Sequence, residues 1–246
     1  MGFLENKVAI VTGASSGIGQ GIAERLGAEG AAVVVNYFGH DDRAAETVRL
    51  IEAAGGRAVT VQGDVRRADD VQNLFEQCIA TFGRPDVLVN NAGMGVLQPL
   101  ADADEETYDR IYGLNCKGTL FCLKQASLHL NDEGRIVNIA SSSAVYPWPN
   151  AALYASSKAA VQKLTEIAAV ELGSRRINVN CVIPGITRTP MSAALPAAAT
   201  EPVAAASPWK RIGTPEDIAA VVAFFCGPDS HWVTGQALLA NGGSGH

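Results

Sequence analysis

Seven short runs of β-branched and aliphatic residues alternate with longer amphipathic stretches along this chain of 246 residues, and that alternation constrains the fold most. The runs fall at 8–11, 32–36, 58–62, 87–90, 135–139, 178–182 and 237–239. Most are continuously apolar, as in Ala32-Val33-Val34-Val35, instead of alternating with polar residues. A strand written this way is covered on both faces, as strands of parallel sheets are. The intervening stretches at 17–29, 42–54, 68–82, 105–130, 152–172 and 215–226 carry a helical period. The last has a readable start: Thr214 can cap, Pro215 suits the first turn, and Asp217 answers the cap. Strand and helix in strict alternation, joined by right-handed crossovers, predict an α/β doubly wound parallel seven-stranded sheet. Helices cover both of its faces, and no linker or second composition regime divides the chain, so a single domain is expected.

Composition narrows the function. Hydrophobic residues make up 48% and charged residues 18%, which excludes a disordered chain. No run reaches the ~18–20 apolar residues of a bilayer helix, so no membrane span is expected. The opening residues lack a basic region followed by an apolar stretch, and a cytoplasmic location is the expectation. The formal charge is −6 with no Lys/Arg cluster, which argues against nucleic acid as a partner. Cys78, Cys116, Cys122, Cys181 and Cys226 are scattered and odd in number, which suits buried thiols better than disulfides or zinc ligands. His40, His129, His231 and His246 show no ligand spacing, and no metal site is expected.

The first run leads into Thr12-Gly13-Ala14-Ser15-Ser16-Gly17-Ile18-Gly19 and then directly into a helix. Glycines let a pyrophosphate approach the backbone, and a helix amino terminus offers it free N–H groups. That makes the segment a candidate dinucleotide-phosphate turn. The second run ends at Asn36-Tyr37-Phe38, where the adenosine ribose of a dinucleotide should arrive. Asn36 brings no charge to repel a 2′-phosphate, and Arg43 is the nearest base. NADP(H) is therefore favoured, with NAD(H) possible.

A second constellation carries chemistry. Ser141 follows the fifth strand run, and Tyr154-Ala155-Ser156-Ser157-Lys158 lies in the next helix. Residues four apart share a helix face. An ammonium there is expected to lower the tyrosine pKa toward the range of a general acid/base. Ser141 is placed to hydrogen-bond the reacting oxygen. Asn115 interrupts an apolar helical pattern, a position where asparagine is poor. Asn90 and Asn91 end the fourth strand run, and one is expected to tie strands while the other serves the ligand.

Taken together, the 12–19 turn, Asp64-Val65, Asn90-Asn91-Ala92-Gly93, Asn115, Ser141, Tyr154, Lys158 and Pro184-Gly185 resemble the short-chain dehydrogenase/reductase family over essentially the whole chain. The resemblance implies a Rossmann fold, an oxidoreductase acting between NAD(P)(H) and a carbonyl or secondary alcohol, and a catalytic tetrad of Asn115, Ser141, Tyr154 and Lys158. It implies proton exchange by Tyr154, a hold on the nicotinamide ribose by Lys158, and a relay water held by Asn115. Cofactor contacts would come from Gly13, Ser15, Ser16, Gly17, Ile18 and Gly19, then from Asn36, Tyr37, Asp64 and Val65 around the adenosine. Asn91, Ala92, Gly93, Tyr154 and Lys158 would follow, with Pro184, Gly185, Ile186, Thr187 and Thr189 closing over the nicotinamide and phosphates. A homotetramer is implied in the same way.

The substrate is less constrained. Pro147-Trp148-Pro149 and Val33-Val34-Val35-Asn36-Tyr37 resemble bacterial glucose dehydrogenases, which carry Arg where this chain has Phe38. Met94, Leu97, Met191 and Trp209 add apolar surface suited to a medium-sized ketone or alcohol. Residues 191–209, rich in Ala and Pro with Glu201 as their one charge, read as a structureless insertion. They are expected to form a mobile substrate lid over about 190–210. A 3-oxoacyl-acyl-carrier-protein reductase and a non-catalytic NAD(P)-sensing regulator are the competing readings.

Overall fold

The computed structural model describes residues 2–193, 195 and 197–244. Ala194 and Pro196 of the expected lid, and Gly245 and His246 at the end, lie outside the described residues. Seven strands, β1 (Val8–Val11), β2 (Ala32–Tyr37), β3 (Arg57–Gln62), β4 (Val87–Asn90), β5 (Arg135–Ile139), β6 (Asn178–Pro184) and β7 (Ala237–Ala240), form one sheet. Its order is β3-β2-β1-β4-β5-β6-β7, and every neighbouring pair is parallel. The order reverses between β1 and β4, and ligands of open α/β sheets bind at the carboxyl ends beside such a reversal.

The continuous apolar runs have the expected cause. Successive side chains of a strand point to opposite faces, and both faces here are covered. Ala9, Val11, Val33 and Val35 join one buried layer with Ile22 and Leu26 of α1 (Gly17–Ala28), Ile51 of α2 (Asp41–Ala53) and Ile218 and Phe225 of α9 (Pro215–Cys226). Val8, Ile10 and Val34 face the other layer, with Leu74 and Phe75 of α3 (Ala68–Phe82), Leu123 of α5 (Thr119–His129) and Ala168 of α6 (Ala152–Glu171). Each fully buried side chain of the size of Ile10 contributes roughly 1.5–3 kcal/mol.

One expectation is refined and one needs correction. The stretch 105–130 is helical through His129 as expected, but between α4 (Glu105–Tyr112) and α5 its winding loosens into a π-helical segment over Gly113–Gly118, with αR backbone at both junctions. The 191–209 stretch is not structureless, because it carries α7 (Pro190–Ala193) and α8 (Ala197–Ala206), with Pro202 inside the latter. Alanine's helix propensity wins there although Pro202 can donate no backbone hydrogen bond. The α9 start is as expected, with the Thr214 N–H donating to Asp217 Oδ2 at 2.8 Å. All five cysteines are free thiols, and burial pushes Cys78, Cys122, Cys181 and Cys226 up to about 12. Among the described residues, no helix is long and apolar enough to cross a membrane.

Candidate active site

The glycine turn bridges β1 and α1 beside the sheet reversal. Gly13 (φ 62°) and Gly17 (φ 58°) occupy the left-handed region that favours glycine. Ser16 caps α1 with extended backbone, its side chain makes no capping bond, and no acid stands in the first turn. The helix therefore presents its N–H groups and positive end to an anion, a fit to a dinucleotide pyrophosphate. Gly19 is required for packing, because a β-carbon there would stand 2.4 Å from Asn91 Nδ2 and from the Gly13 carbonyl. Ile18 packs on the core, and Thr189 leans over Gly17, its Cβ 3.1 Å from where a Gly17 β-carbon would be.

The segment after β4 locks this turn in place. Thr12 Oγ1 accepts from the N–H groups of Asn91 (3.0 Å) and Ala92 (3.1 Å). The Asn91 amide donates to the carbonyls of Thr12 (2.9 Å) and Gly13 (3.0 Å). Asn90 donates to Asn138 Oδ1 across β4 and β5 at 2.8 Å, and Asn138 passes the chain to Thr165 Oγ1. Both asparagine side chains are thus structural ties, where one had been expected to serve the ligand. The ligand-facing capacity of 91–93 rests on backbone and on the small residues themselves.

At the adenosine end the side chain of Asn36 is placed differently from the expectation. It is 2% exposed, donates to Val61 O (3.3 Å) and Gly63 O (3.1 Å), and accepts from the Gly13 N–H (3.4 Å). It holds the glycine turn to the ends of β2 and β3 instead of facing the rim. Tyr37 packs partly on the opposite layer, and Phe38 projects outward with the Arg66 guanidinium 5.5 Å from its ring centre. Asn36→Asp is therefore expected to destabilise the fold by about 1–3 kcal/mol, since a carboxylate would face two carbonyls and donate to neither. Chemical denaturation measures this, and a stable variant with altered cofactor preference would instead put the side chain at the ribose.

Arg66 was not singled out from sequence. Its guanidinium bonds both oxygens of Asp64, with Nε at 2.9 and 2.8 Å. Burial pushes the Asp64 carboxyl up, yet the Arg66 hydrogen bonds outweigh it and leave it below its usual range. Val65 packs under the π-turn, 2.8 Å from where a Gly118 β-carbon would be. Across the sheet, Pro184 ends β6, Gly185 lies against Asn241, Ile186 accepts from the Gly213 N–H, and Thr187 Oγ1 donates to Gly185 O at 3.0 Å. Ser15, Ser16 and Gly17 also line a cleft of 580 Å³ with Arg43 and Arg188, shared with Glu24, Asp42, Glu46 and Glu216.

The reactive groups converge at the carboxyl ends of β4 and β5. Asn115 is fully buried inside the π-turn, a local insertion common at functional sites. Its amide donates to Met94 O and Ser157 Oγ, both at 2.9 Å, and Met94 N–H donates back to Oδ1 at 2.9 Å. Lys158, 5% exposed, donates from Nζ to the Ile139 carbonyl at 2.8 Å. A β-carbon on Gly93 would lie 3.0 Å from Lys158 Nζ and 3.2 Å from Asn115 Oδ1, and one on Gly95 3.4 Å from the Tyr154 ring. The 93–95 strip thus lies against three of the four expected tetrad members, and Ser141, the fourth, acts to lower the Tyr154 phenol.

The electrostatics depart from the simple expectation. Burial pushes the Tyr154 phenol above its ordinary value, and the Ser141 hydrogen bond works against that rise. Burial also pulls the Lys158 ammonium down to about 8, while the nearby Cys181 and Cys116 act in the other direction. The group that lowers Tyr154 is Ser141, not the expected lysine. Besides Arg66, Ser143 and Ser157 were missed from sequence, because only tertiary contacts give these common polar residues their places.

Comparison with known proteins follows the same lines. A family model described as enoyl-(acyl carrier protein) reductase matches residues 13–245. The hydroxynaphthalene reductase-like protein Arp2 of Metarhizium brunneum is 42% identical over 98% of this chain and 96% of its own length. A dehydrogenase/reductase from Sinorhizobium meliloti superposes with a TM-score of 0.95 at 40% identity, covering 99% of this chain and 96% of that one. A short-chain dehydrogenase from Burkholderia cenocepacia, solved in complex with NADP, gives 0.93 at 37% identity, covering 98% of both chains. The chain belongs to the short-chain dehydrogenase/reductase family and is an oxidoreductase acting on CH–OH groups.

Proposed function

We propose that this enzyme reduces a small to medium-sized ketone, preferentially a cyclic one, with NADPH as the favoured cofactor and NADH as a second. The observation that carries the reading is the convergence of Asn115, Tyr154 and the buried Lys158 on the Gly93–Gly95 strip at the carboxyl rim, with Ser141 lowering the phenol against its burial. The nicotinamide cofactor, when bound, supplies or takes up the hydride. Tyr154 gives its phenolic proton to the carbonyl oxygen in reduction and recovers one from the alcohol in oxidation. Ser141 hydrogen-bonds the same oxygen and orients it. Lys158 would hold the nicotinamide ribose, and Asn115, its side chain committed to Met94 and Ser157, would hold the relay water.

The turn at Gly13, Ser15, Ser16, Gly17, Ile18 and Gly19 would take the pyrophosphate. Tyr37, Asp64 and Val65 would flank the adenosine, and the backbone of 91–93 its neighbouring ribose. Pro184, Gly185, Ile186, Thr187 and Thr189 would close over the nicotinamide end. Arg43 beside Ser15 and Ser16 supports a 2′-phosphate, as does the NADP held by the Burkholderia relative. Leu97, Trp148, Met191 and Trp209 all expose apolar surface, which supports an apolar ring as substrate, and the Metarhizium relative's name points to a fused aromatic one. Residues 190–210 would cover that substrate. The same reading has the enzyme work in the cytoplasm as a homotetramer, using exposed apolar residues such as Val170, Trp232 and Leu238.

Cofactor oxidation is the test, with cyclohexanone, tetralone and an acetoacetyl thioester as acceptors and glucose in the reverse direction. Tetralone turnover faster with NADPH than with NADH, and no glucose oxidation, is the expected result. Dominant glucose oxidation would restore the sugar reading, and turnover of the thioester alone would make the protein an oxoacyl reductase. Tight cofactor binding with no turnover would make it a sensor.

A further inference from the structure

Ser141 begins a short run of three serines, and the hydroxyl of the third returns to it. The Ser143 N–H donates to Ser141 Oγ at 3.3 Å, and Ser143 Oγ lies 3.0 Å from the same oxygen as a second donor. A serine hydroxyl has two acceptor positions and a single hydrogen. With both acceptor positions filled from Ser143, the hydrogen of Ser141 is left to point outward, toward the phenol that Ser141 lowers. We propose that Ser143 is a positioning residue that fixes the Ser141 hydroxyl as a donor toward Tyr154 and the substrate oxygen. Among the described residues, the Ser143 hydroxyl hydrogen-bonds Ser141. It acts by denying Ser141 the alternative of accepting from Tyr154 and donating back into its own turn.

The local fold supports this division of labour. Ser141 has extended backbone (φ −160°) and caps the 3-10 turn Ser142–Ala144 through the Ser143 N–H. That backbone bond survives any substitution of the Ser143 side chain except proline. The side-chain hydroxyl is therefore separable from the turn, and its removal affects the orientation of Ser141 instead of the path of the chain. Chains of hydroxyl groups polarise one another, so a donor into Ser141 also strengthens the bond that Ser141 gives. A phenolate at Tyr154 is the form that benefits.

The inference rests on the reading of Tyr154 as the proton-exchanging group, and the test separates the two. The titration of Tyr154 is followed with NADP+ bound, using isotope-labelled tyrosine ring carbons assigned by their loss in Tyr154→Phe. Ser143→Ala is expected to raise the Tyr154 midpoint by about 0.5–1 pH unit. Tetralol oxidation, which needs the deprotonated phenol, should fall about three- to tenfold in kcat at neutral pH. The KM for NADP+ should stay at the wild-type value, and Ser143→Thr should restore both the midpoint and kcat. An unmoved or lowered midpoint in Ser143→Ala overturns the proposal, since a Ser141 that donates into Ser143 would be freed by the change. Carbonyl turnover retained in Tyr154→Phe would instead remove the reading beneath it.

Discussion

Tyr154→Phe is expected to lower kcat for ketone reduction by about 10²–10⁴-fold while leaving cofactor affinity nearly unchanged. The substitution removes one oxygen from a half-buried ring that packs against Gly95, so the fold should absorb it. What disappears is the proton donor, the group on which Ser141 acts. Stopped-flow reduction with NADPH, together with cofactor titration by fluorescence, separates the two quantities. A variant that keeps its kcat would remove Tyr154 from the chemistry.

The second large effect concerns Lys158, where function and stability should move in opposite directions. The ammonium is 5% exposed, and burial pulls it down from 10.5 to about 8. The unfolded chain therefore holds this proton more tightly than the folded one. The burial cost is fully present below about pH 8 and fades as pH rises from there toward 10.5. Lys158→Met removes that cost together with the bond to Ile139 O. Cofactor-free protein should gain about 1–2 kcal/mol at neutral pH, after allowance for the lost hydrogen bond. Turnover should be lost, because Met can neither hold a ribose nor carry charge. The wild-type rise in stability above pH 8 should also vanish. Denaturant unfolding from pH 6 to 10 measures this, and a variant less stable than wild type at neutral pH would show the buried ammonium to be net stabilising.

Much of this was legible before any coordinates. Seven runs mark the seven strands within a residue or two. The central β1, β2 and β4 are the clearest because burial on both faces leaves them nearly free of polar residues, while the edge strands β3 and β7 are partly exposed. The glycine turn was legible because its residues answer local needs, a left-handed backbone at Gly13 and Gly17 and close packing at Gly19. The Tyr154 and Lys158 pair was legible because four-residue spacing fixes a shared helix face.

What was not legible depends on distant partners. Nothing in Gly113–Gly118 announces a π-turn; the contacts of Asn115 with Met94 and Ser157 select it. The position of Asn36 near the end of β2 suggests the rim, although strand parity puts it on the face of Val34 and away from Tyr37. Ser143 stands in a serine run whose members are indistinguishable until the backbone bends one hydroxyl toward another.

The central claim is that the Tyr154 phenol sits beside a nicotinamide ring at the carboxyl rim of β4 and β5 and exchanges a proton with the substrate oxygen. A crystal structure with NADP+ and tetralol bound tests it most directly. The alcohol oxygen is expected within about 2.6–3.2 Å of the Tyr154 hydroxyl, with Ser141 on the same oxygen and the nicotinamide against Gly93. A ring seated elsewhere, or a Tyr154 hydroxyl turned away from the alcohol, would contradict it.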